Sequence, residues 1–484
     1  MSNDQRSSSF LAVRFALAAI MVGVFFGLST VGTAQRLLVA DRESKSADAK
    51  SEVAGRVDSP EGTIPMAPGD LIVYRAGDGV TALSSAAAPV FLDEYTTAPS
   101  QILPVRSYPM PTVVNGANKR FTTAGSSTSE GFLTRSVDAK YLLAPGYDAD
   151  PGTLALAGTT SAAVNRVVAR ITSSGAADTT TALNDAYSTS NIRGIASTNG
   201  TDIWTTGTGT PTSSAGTRYT TFGSTTSTQL SSTPTNTRTV NIFGGQLYIT
   251  AASGAFFGVS TVGTGLPTTS GQTTTVLPGF PTATGPSPYA FFFYNATTIY
   301  VADDRAVASG GGVQKWTFAA GTWTLAATFS NGLTGGCRGL VAKNNGGLPT
   351  IYATTSNNQL VAVTDDGTAN PLFAVLATGP ANTAMRGIAF APITATAADV
   401  SVSGRVMTAD GRGITNVRVA VTGNSLPEPI VAITGRFGTY SIPGLESGQT
   451  YVITVGARRF TFTQPSRVLS LVDNVSDADF VAEQ

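Results

Sequence analysis

Three stretches, Gln246-Leu-Tyr-Ile-Thr250, Thr298-Ile-Tyr-Val-Ala302 and Thr350-Ile-Tyr-Ala-Thr354, share one pattern of β-branched, apolar and aromatic residues. Their central tyrosines are evenly spaced, 52 residues apart. Asp202-Ile-Trp-Thr-Thr206 is an earlier copy of the pattern, and Leu71-Ile-Val-Tyr-Arg75 is a more divergent one. Residues of these types favour strands, and self-similarity at a nearly fixed period is typical of repeat architectures. The sequence therefore predicts a repeated unit with one such strand in each copy.

Each copy of this strand is followed by one or two further short apolar runs, separated by Gly, Pro, Asn and Asp. A unit of four short strands over about 45 to 65 residues has the size of a β-propeller blade. We count six units and keep seven as the alternative. The strand at Arg386-Gly-Ile-Ala-Phe390 is expected to close the ring by completing the blade that begins at Leu71. The predicted fold class is all-β, a six-bladed (alternative seven-bladed) β-propeller plus a small C-terminal β-sandwich, with a tandem of sandwiches as the rival.

An Arg-Gly dipeptide opens three of the predicted innermost strands, at Arg193, Arg338 and Arg386. The innermost strands of a propeller line its central channel, so we expect these arginines at the channel mouth. Because a guanidinium suits a carboxylate or a phosphate, the functional interpretation is capture of an anionic ligand. The alternative interpretation is structural, with each arginine bound to backbone carbonyl groups of the neighbouring blade.

Acidic residues occur in three close pairs that are candidates for calcium ligation or paired-carboxylate hydrolysis: Asp148/Asp150, Asp303/Asp304 and Asp365/Asp366. None of them belongs to the full D-x-D-x-D-G pattern of ligands that a calcium-binding loop needs. Aspartate beside Gly or Pro also bonds its own backbone in turns, and we favour that interpretation. We therefore expect no metal site and no cofactor.

Composition argues against several classes of function. The chain has no histidine, which removes Ser-His-Asp and Cys-His nucleophile pairs and histidine-based zinc sites. It has one cysteine, Cys337, so it cannot form an internal disulfide. The formal net charge is zero, which gives no electrostatic footprint for nucleic acid and no polybasic patch for anionic lipid.

The N-terminal segment has the parts of a secretory signal. Arg6 and Arg14 precede an apolar run from Phe15 to Leu28, and small residues follow as far as Ala34. The run is shorter than the roughly 20 residues of a membrane-spanning helix, so cleavage after Ala34 is expected, with an uncleaved anchor as the alternative. We predict a signal peptide (1–34), a flexible spacer (35–65), the repeat domain (66–392), a linker (393–398) and a separate module (399–484).

The last segment differs from the repeat region in the spacing of its predicted strands and turns. VSGRVMTADGRGITNVRVAVTG (402–423), ITGRFGTYSIPGLESGQTYVITV (433–455) and the closing DADFVA (477–482) resemble a carboxypeptidase regulatory-like domain. The resemblance implies a transthyretin-like sandwich of seven strands that serves as an accessory or adhesion-like module. The resemblance assigns no catalytic residue to this chain.

The repeat region resembles the propeller-like repeats of large exported bacterial proteins, on the stretches PGDLIVYRAGDG (68–79), VFLDEYT (90–96) and SEGFLTRSVDAKYLLAPGYDA (129–149). The predicted function is an exported, non-enzymatic protein, secreted or at the cell surface. Its propeller would bind a protein or glycan, and its sandwich would act as a spacer. No nucleic acid partner and no membrane span after signal cleavage are expected. The alternative is a propeller enzyme, a lyase or glycosidase acting on extracellular polysaccharide.

Overall fold

The computed structural model describes residues 65–345, 347–393, 399–423, 426 and 428–483. The predicted signal peptide, the predicted spacer up to residue 64 and the predicted linker after Ile393 lie outside the described residues. The described chain consists of β-strands and three short 3₁₀ turns, Leu156–Gly158, Thr212–Ser214 and Val307–Ser309. The prediction of an all-β fold is confirmed over these residues. No described helix is long and apolar enough to cross a membrane.

Eight strands form the N-terminal part of the described chain: β1 (Leu71–Ala76), β2 (Ala87–Tyr95), β3 (Arg106–Pro109), β4 (Thr122–Ala124), β5 (Thr134–Arg135), β6 (Leu142–Tyr147), β7 (Arg166–Ile171) and β8 (Ala177–Leu183). β1 pairs with β2 and β2 with β3, while β5 pairs with β6, β6 with β7 and β7 with β8. The short strand β4 pairs with both β2 and β6, and so joins the two groups into one sheet. The sequence did not predict this bridge.

Four antiparallel sheets follow, each with four strands in chain order. Their strands are β9 (Ile192–Ser197), β10 (Asp202–Gly207), β11 (Gly216–Thr221), β12 (Thr228–Ser231), β13 (Thr237–Phe243), β14 (Gln246–Ser253), β15 (Phe256–Val262), β16 (Thr274–Val276), β17 (Pro288–Asn295), β18 (Thr298–Asp303), β19 (Gly312–Ala319), β20 (Thr322–Phe329), β21 (Cys337–Asn345), β22 (Leu348–Thr355), β23 (Gln359–Thr364) and β24 (Ala374–Thr378). The repeated tyrosines lie on β14, β18 and β22, the second strand of their sheets.

The next strand closes the ring. β25 (Ala384–Phe390) pairs antiparallel with β1, and Leu71 lies opposite Phe390. The predicted pairing of Arg386–Phe390 with the strand at Leu71 is confirmed. We call β5, β9, β13, β17, β21 and β25 the inner strands, because each contacts the next in this order and β25 contacts β5. Sheets arranged around a closed ring of inner strands form a β-propeller.

Alternating side chains explain why the sheets stack around the ring. In β18, Ile299 and Val301 pack into a cluster with Val259 of β15. Tyr300 and Ala302, which point the other way, pack into a second cluster with residues of β21 and β22. A strand with both faces buried in this way needs a sheet on each side. The repeated tyrosine pattern therefore encodes packing between sheets.

Threonines on the second strands also fasten neighbouring sheets together. The hydroxyl of Thr206 donates to the carbonyl of Arg238 at 3.0 Å, and that of Thr250 donates to the carbonyl of Tyr289 at 2.8 Å. Thr354 makes the same bond to the carbonyl of Arg386. Each of these threonines stands two residues after the repeated aromatic residue, so the period in the sequence corresponds to a repeated hydrogen bond.

The C-terminal module contains β26 (Asp399–Thr408), β27 (Arg418–Gly423), β28 (Ile430–Ile433), β29 (Thr439–Glu446), β30 (Thr450–Gly456), β31 (Thr461–Phe462), β32 (Ser466–Ser470) and β33 (Phe480–Glu483). They form two sheets in the orders β29-β26-β33-β31 and β28-β27-β30-β32. One hydrophobic cluster joins the sheets and includes Val402, Val419, Tyr440, Ile453 and Phe480. The described module is therefore sandwich-like.

Candidate functional site

The three predicted arginines all lie near the start of an inner strand. Arg193 is on β9, Arg338 on β21 and Arg386 on β25. Arg338 and Arg386 occupy adjacent inner strands, whereas β5 separates Arg386 from Arg193. We call this end of the ring, where the inner strands begin, the arginine end.

Arg193 is buried and bonds the next inner strand. Its Nη1 donates to the Oδ1 of Asn236 at 2.5 Å and to the carbonyl of Thr237 at 3.0 Å. Burial, together with the nearby Arg238 guanidinium, lowers the pKa of Arg193 to about 10. The side chain is therefore still a cation at neutral pH, held by acceptors without formal charge.

Arg386 is also buried, and it bonds the bridging strand β4 and the residue that follows it. Its Nη1 donates to the hydroxyl of Thr123 at 2.6 Å, and its Nη2 donates to the carbonyls of Ala124 and Gly125 at 2.6 and 2.9 Å. The carboxylate of Glu130 lies 3.7 Å from Nη1. Arg386 thus closes the ring by side-chain contacts as well as by strand pairing.

Arg338 is the most exposed of the three arginines. Its Nε lies 3.5 Å from the Oδ2 of Asp304, and both side chains are partly open to solvent. An ion pair of this kind contributes less than about 1 kcal/mol, because water screens it. Of the predicted site residues, Arg338 is the one that a ligand can reach without displacing a buried contact.

Sequence reasoning missed a fourth arginine at this end. Arg238 is the second residue of β13, and its Nη1 donates to the hydroxyl of Ser287 at 2.8 Å and to the carbonyl of Pro288 at 2.9 Å. Its guanidinium also lies over the ring of Tyr289, 4.2 Å from the centroid. The residue after it is Thr239 instead of glycine, so the Arg-Gly pattern does not find it. Arg238 could have been identified because it lies in the strand directly before the strand of Tyr248, just as Arg338 lies in the strand before that of Tyr352.

The three predicted arginines share one property. Each has a buried Nε–H that makes no hydrogen bond among the described residues, although that of Arg338 lies 3.5 Å from the carboxylate of Asp304. Buried donors in proteins are normally satisfied, and an unpaired one costs about 1 to 3 kcal/mol. The arginine end therefore holds unused hydrogen-bonding capacity next to positive charge.

The glycine that follows each predicted arginine permits close packing between inner strands. A Cβ atom on Gly387 would lie 2.0 Å from the backbone nitrogen of Leu133, and one on Gly194 would lie 3.0 Å from the Cα of Thr239. Only glycine fits such an approach without a shift of the backbone. The Arg-Gly pattern thus has a structural cause in addition to any ligand role.

Aromatic rings meet at the centre of the ring. Phe132, just before β5, and Tyr289, on β17, have ring centroids 5.5 Å apart in an edge-to-face arrangement, and both are buried. β5 and β17 are opposite one another in the closed order of inner strands. The axis of the propeller is therefore filled by side chains at this level.

The acidic pairs are engaged within the fold. Arg120 pairs with Asp148 at 2.8 Å and with Asp150 at 2.7 Å. Asp303 pairs with Arg305, Asp365 pairs with Lys315 and accepts from Tyr300, and Asp366 accepts from Thr368. Among the described residues no cluster of three or more acidic or cysteine side chains could hold a metal ion.

An exposed apolar surface lies where two sheets of the ring meet. Ser100 and Gln101 donate backbone hydrogen bonds to Val375 and Leu376 of β24, so the connection from β2 to β3 lies along that strand. Ile102 is then 91% exposed and Leu103 is exposed after it, while Val375 and Leu372 are exposed further along the same seam, since Gln101 pairs in parallel with Ala377. We call these four residues the seam surface. A groove of about 440 Å³ adjoins it and is lined by residues that include Pro99, Leu372, Leu376 and Asp366.

Comparison with known proteins adds similarity in fold alone. No family model matches the chain, and no curated protein matches it. A chain of the nidogen/laminin complex is 12% identical with a TM-score of 0.40, and the match covers 66% of this chain and 98% of that one. The periplasmic gluconolactonase of Pseudomonas aeruginosa is 12% identical with a TM-score of 0.36, covering 85% and 98%. Apo AztD from Citrobacter koseri is 10% identical with a TM-score of 0.27, also covering 85% and 98%. Values this low establish no shared activity.

Proposed function

We propose that this chain is an exported, non-enzymatic binding protein. Its six-bladed propeller recognises an extracellular protein, and its C-terminal module is a transthyretin-like accessory domain. In this proposal each of the six inner strands belongs to its own blade. The strand β4 belongs to none of the blades and links two of them. The closed order of the inner strands and the β25–β1 pairing support this count.

The observation that carries the proposal is the seam surface. Exposed single hydrophobic residues are ordinary, but several exposed along one seam, with a groove at one end, favour an interaction site. Ile102, Leu103 and Leu372 are each more than 60% exposed, and hydrogen bonds hold their two segments together. An apolar surface of this kind favours a protein partner over a glycan, which needs more polar groups.

The arginine end is a second candidate for ligand contact. The weak ion pair of Arg338 with Asp304 favours it, since both side chains are partly open to solvent and an anionic group of the partner can take the place of Asp304. In this proposal Arg338 makes the first contact, because it is the least buried of the three. Arg193 and Arg386 serve mainly the structure of the ring.

A binding experiment with matched variants tests both surfaces. Extracellular proteins and glycans from the source environment are presented to the full chain, and any ligand is then measured against Ile102→Asp, Leu372→Asp, Arg338→Ala and a control. Val80→Asp is the control, because Val80 is 83% exposed and lies outside the seam surface. We expect the seam variants to lose a protein ligand by tenfold or more while Val80→Asp retains it.

The enzyme alternative makes a different prediction. A lyase or glycosidase of this fold needs two carboxylates that converge on the substrate, separated by about 10 Å or less. Turnover of an extracellular polysaccharide that is abolished by Asp304→Asn would contradict the non-enzymatic proposal. A ligand whose affinity is unchanged in every seam and arginine variant would contradict both proposed surfaces.

A further inference from the structure

The C-terminal module gathers positive charge that the sequence leaves dispersed. The zero net charge of the chain predicts no polybasic patch. In the structure, five exposed arginines lie at one end of the module, and we call this set the arginine tip: Arg412, Arg418, Arg436, Arg458 and Arg459. They come from the start of β27 and from the connections β26–β27, β28–β29 and β30–β31. The zero net charge of the whole chain therefore does not describe this end of the module.

Strand register and turn contacts place these arginines together. Arg418 lies opposite Ile433 of β28 on one side and opposite Gly456 of β30 on the other. Neighbouring strands are about 4.8 Å apart, so the segments that lead to Arg436 and Arg458 begin beside Arg418. The β26–β27 and β28–β29 turns also touch, since a Cβ on Gly413 would lie 2.0 Å from the carbonyl oxygen of Phe437.

Carboxylates within the module leave most of this charge unbalanced. None of the ion pairs within the described residues includes an arginine of the tip. Asp410 is in the same turn as Arg412 and is bonded to the hydroxyl of Thr408. Glu483 lies at this end of β33 and accepts from Thr463 at 2.8 Å. Asp479 is also near, since it accepts from the backbone N–H of Arg405, whose side chain bonds the carbonyl of Phe437, so five exposed guanidinium groups stand with three carboxylates.

Apolar side chains project from the same end. Phe437 is 69% exposed and directly follows Arg436, and Ile433 is 56% exposed and lies opposite Arg418. An exposed aromatic residue between cations is the arrangement of segments that bind a membrane interface, where the ring enters the headgroup region and the cations meet lipid phosphates.

The opposite end of the module contacts the propeller. Thr450, the first residue of β30, donates its hydroxyl to the carbonyl of Val137 at 3.1 Å. β30 runs from there to Gly456, next to Arg418, so the arginine tip is at the end of the module away from that contact. The contact with Val137 therefore leaves the tip uncovered.

We propose that the arginine tip binds the protein to a membrane surface rich in anionic lipid. The guanidinium groups bond lipid phosphates, and Phe437 enters the interfacial layer. A water-soluble polyanion would use the same charges, but it would give the exposed Phe437 ring no apolar environment. This site is separate from the seam surface and from the arginine end, so the inference does not depend on the proposed function.

Vesicle cosedimentation of the full chain tests the inference. Vesicles of phosphatidylcholine alone are compared with vesicles that contain phosphatidylglycerol, at low and at high salt. We expect binding only to the anionic vesicles and a loss of binding at high salt. Each arginine near an anionic surface is worth about a fivefold change in partitioning, so Arg458→Gln lowers binding about fivefold and Arg458→Gln/Arg459→Gln lowers it about 25-fold.

Matched controls separate the tip from general effects. Lys119→Gln removes one positive charge from the propeller, and Val80→Ser removes an exposed apolar side chain there. We expect neither to change vesicle binding, whereas Phe437→Ser lowers it several-fold. All variants are compared in the same processed form of the chain, so the segment before the propeller does not distinguish them.

Two results would overturn the inference. One is a failure of the charge dependence. It would be seen as equal binding of the unaltered chain to both kinds of vesicle, or as equal binding of Arg458→Gln and Lys119→Gln to the anionic vesicles. The other is tight retention on a soluble polyanion such as dextran sulfate, with no change in Phe437→Ser and no binding to vesicles. That outcome would assign the arginine tip to an acidic polymer instead of a membrane.

Discussion

The rings of Phe132 and Tyr289 meet edge to face across the axis of the propeller, 5.5 Å apart. Both residues belong to one hydrophobic cluster that extends to Tyr300, Leu340 and Ile351. The contact joins opposite inner strands, so it makes the centre of the ring part of the core.

Truncation of this contact should destabilise the whole ring. Phe132→Ala removes a buried ring and leaves a cavity at the axis, and such changes cost about 3 to 5 kcal/mol. Urea unfolding followed by fluorescence measures the loss. Phe437→Ala is the control, since that ring is mostly exposed, and its free energy of unfolding should change by less than about 0.5 kcal/mol. Equal effects of the two changes would contradict the role of Phe132.

The arginines at the arginine end should differ in their effect on stability. Arg386→Ala leaves three bonded groups without their donor and leaves Glu130 without its cation, which costs about 3 kcal/mol or more. Arg338→Ala removes only a screened ion pair and costs less than about 1 kcal/mol. Thermal unfolding of both variants gives the comparison. A larger loss in Arg338→Ala would show that this residue has the greater structural role.

The hydroxyl of Thr354 should contribute measurably to the joint between neighbouring sheets. It accepts from the backbone N–H of Gly339 at 2.9 Å and donates to the carbonyl of Arg386. Thr354→Val keeps the shape and leaves both buried backbone groups unpaired, so we expect a loss of about 1 to 3 kcal/mol in urea unfolding. Thr261→Val, whose hydroxyl makes a long and exposed bond, is the control and should be nearly neutral.

Stability should fall at alkaline pH because of Cys337. Burial raises the pKa of its thiol from 9.0 to about 12. The unfolded chain therefore loses this proton at lower pH than the folded chain, and the stability that the buried neutral thiol contributes is present below pH 9 and lost progressively between pH 9 and about 12. Urea unfolding across this range measures the loss, and Cys337→Ala should reduce it.

A thiol reagent gives an independent test of the same group. Since the thiolate is the reactive form, Cys337 should resist alkylation at pH 8 until denaturant is added. Rapid labelling of the native protein would contradict its burial.

The repeated pattern allowed the ring to be predicted because packing imposes it. Tyr248, Tyr300 and Tyr352 recur at one spacing, since each stands at the same place between two sheets. The pairing of Arg386–Phe390 with the strand at Leu71 followed from counting strands. The bridging strand β4 could not be predicted, because three residues, Thr122–Ala124, have no periodic signal of their own.

The candidate sites were less visible in the sequence. Arg193, Arg338 and Arg386 were found by their following glycine, but that glycine reflects close strand packing, so Arg238 was missed. The arginine tip was missed for a related reason. Its members are separated in the chain by up to 47 residues, from Arg412 to Arg459, and only the register of β27 with β28 and β30 places them together.

The pairing of β25 with β1 has a consequence for synthesis of the chain. The strand that covers the open edge of β1 is the last strand of the ring to be made, so an emerging chain carries an unpaired edge until Phe390 is available. Unpaired edges recruit strands from other chains. A chain that ends before Ala384 should therefore assemble into oligomers through β1, and a chaperone that shields strand edges during synthesis would be most needed in that interval.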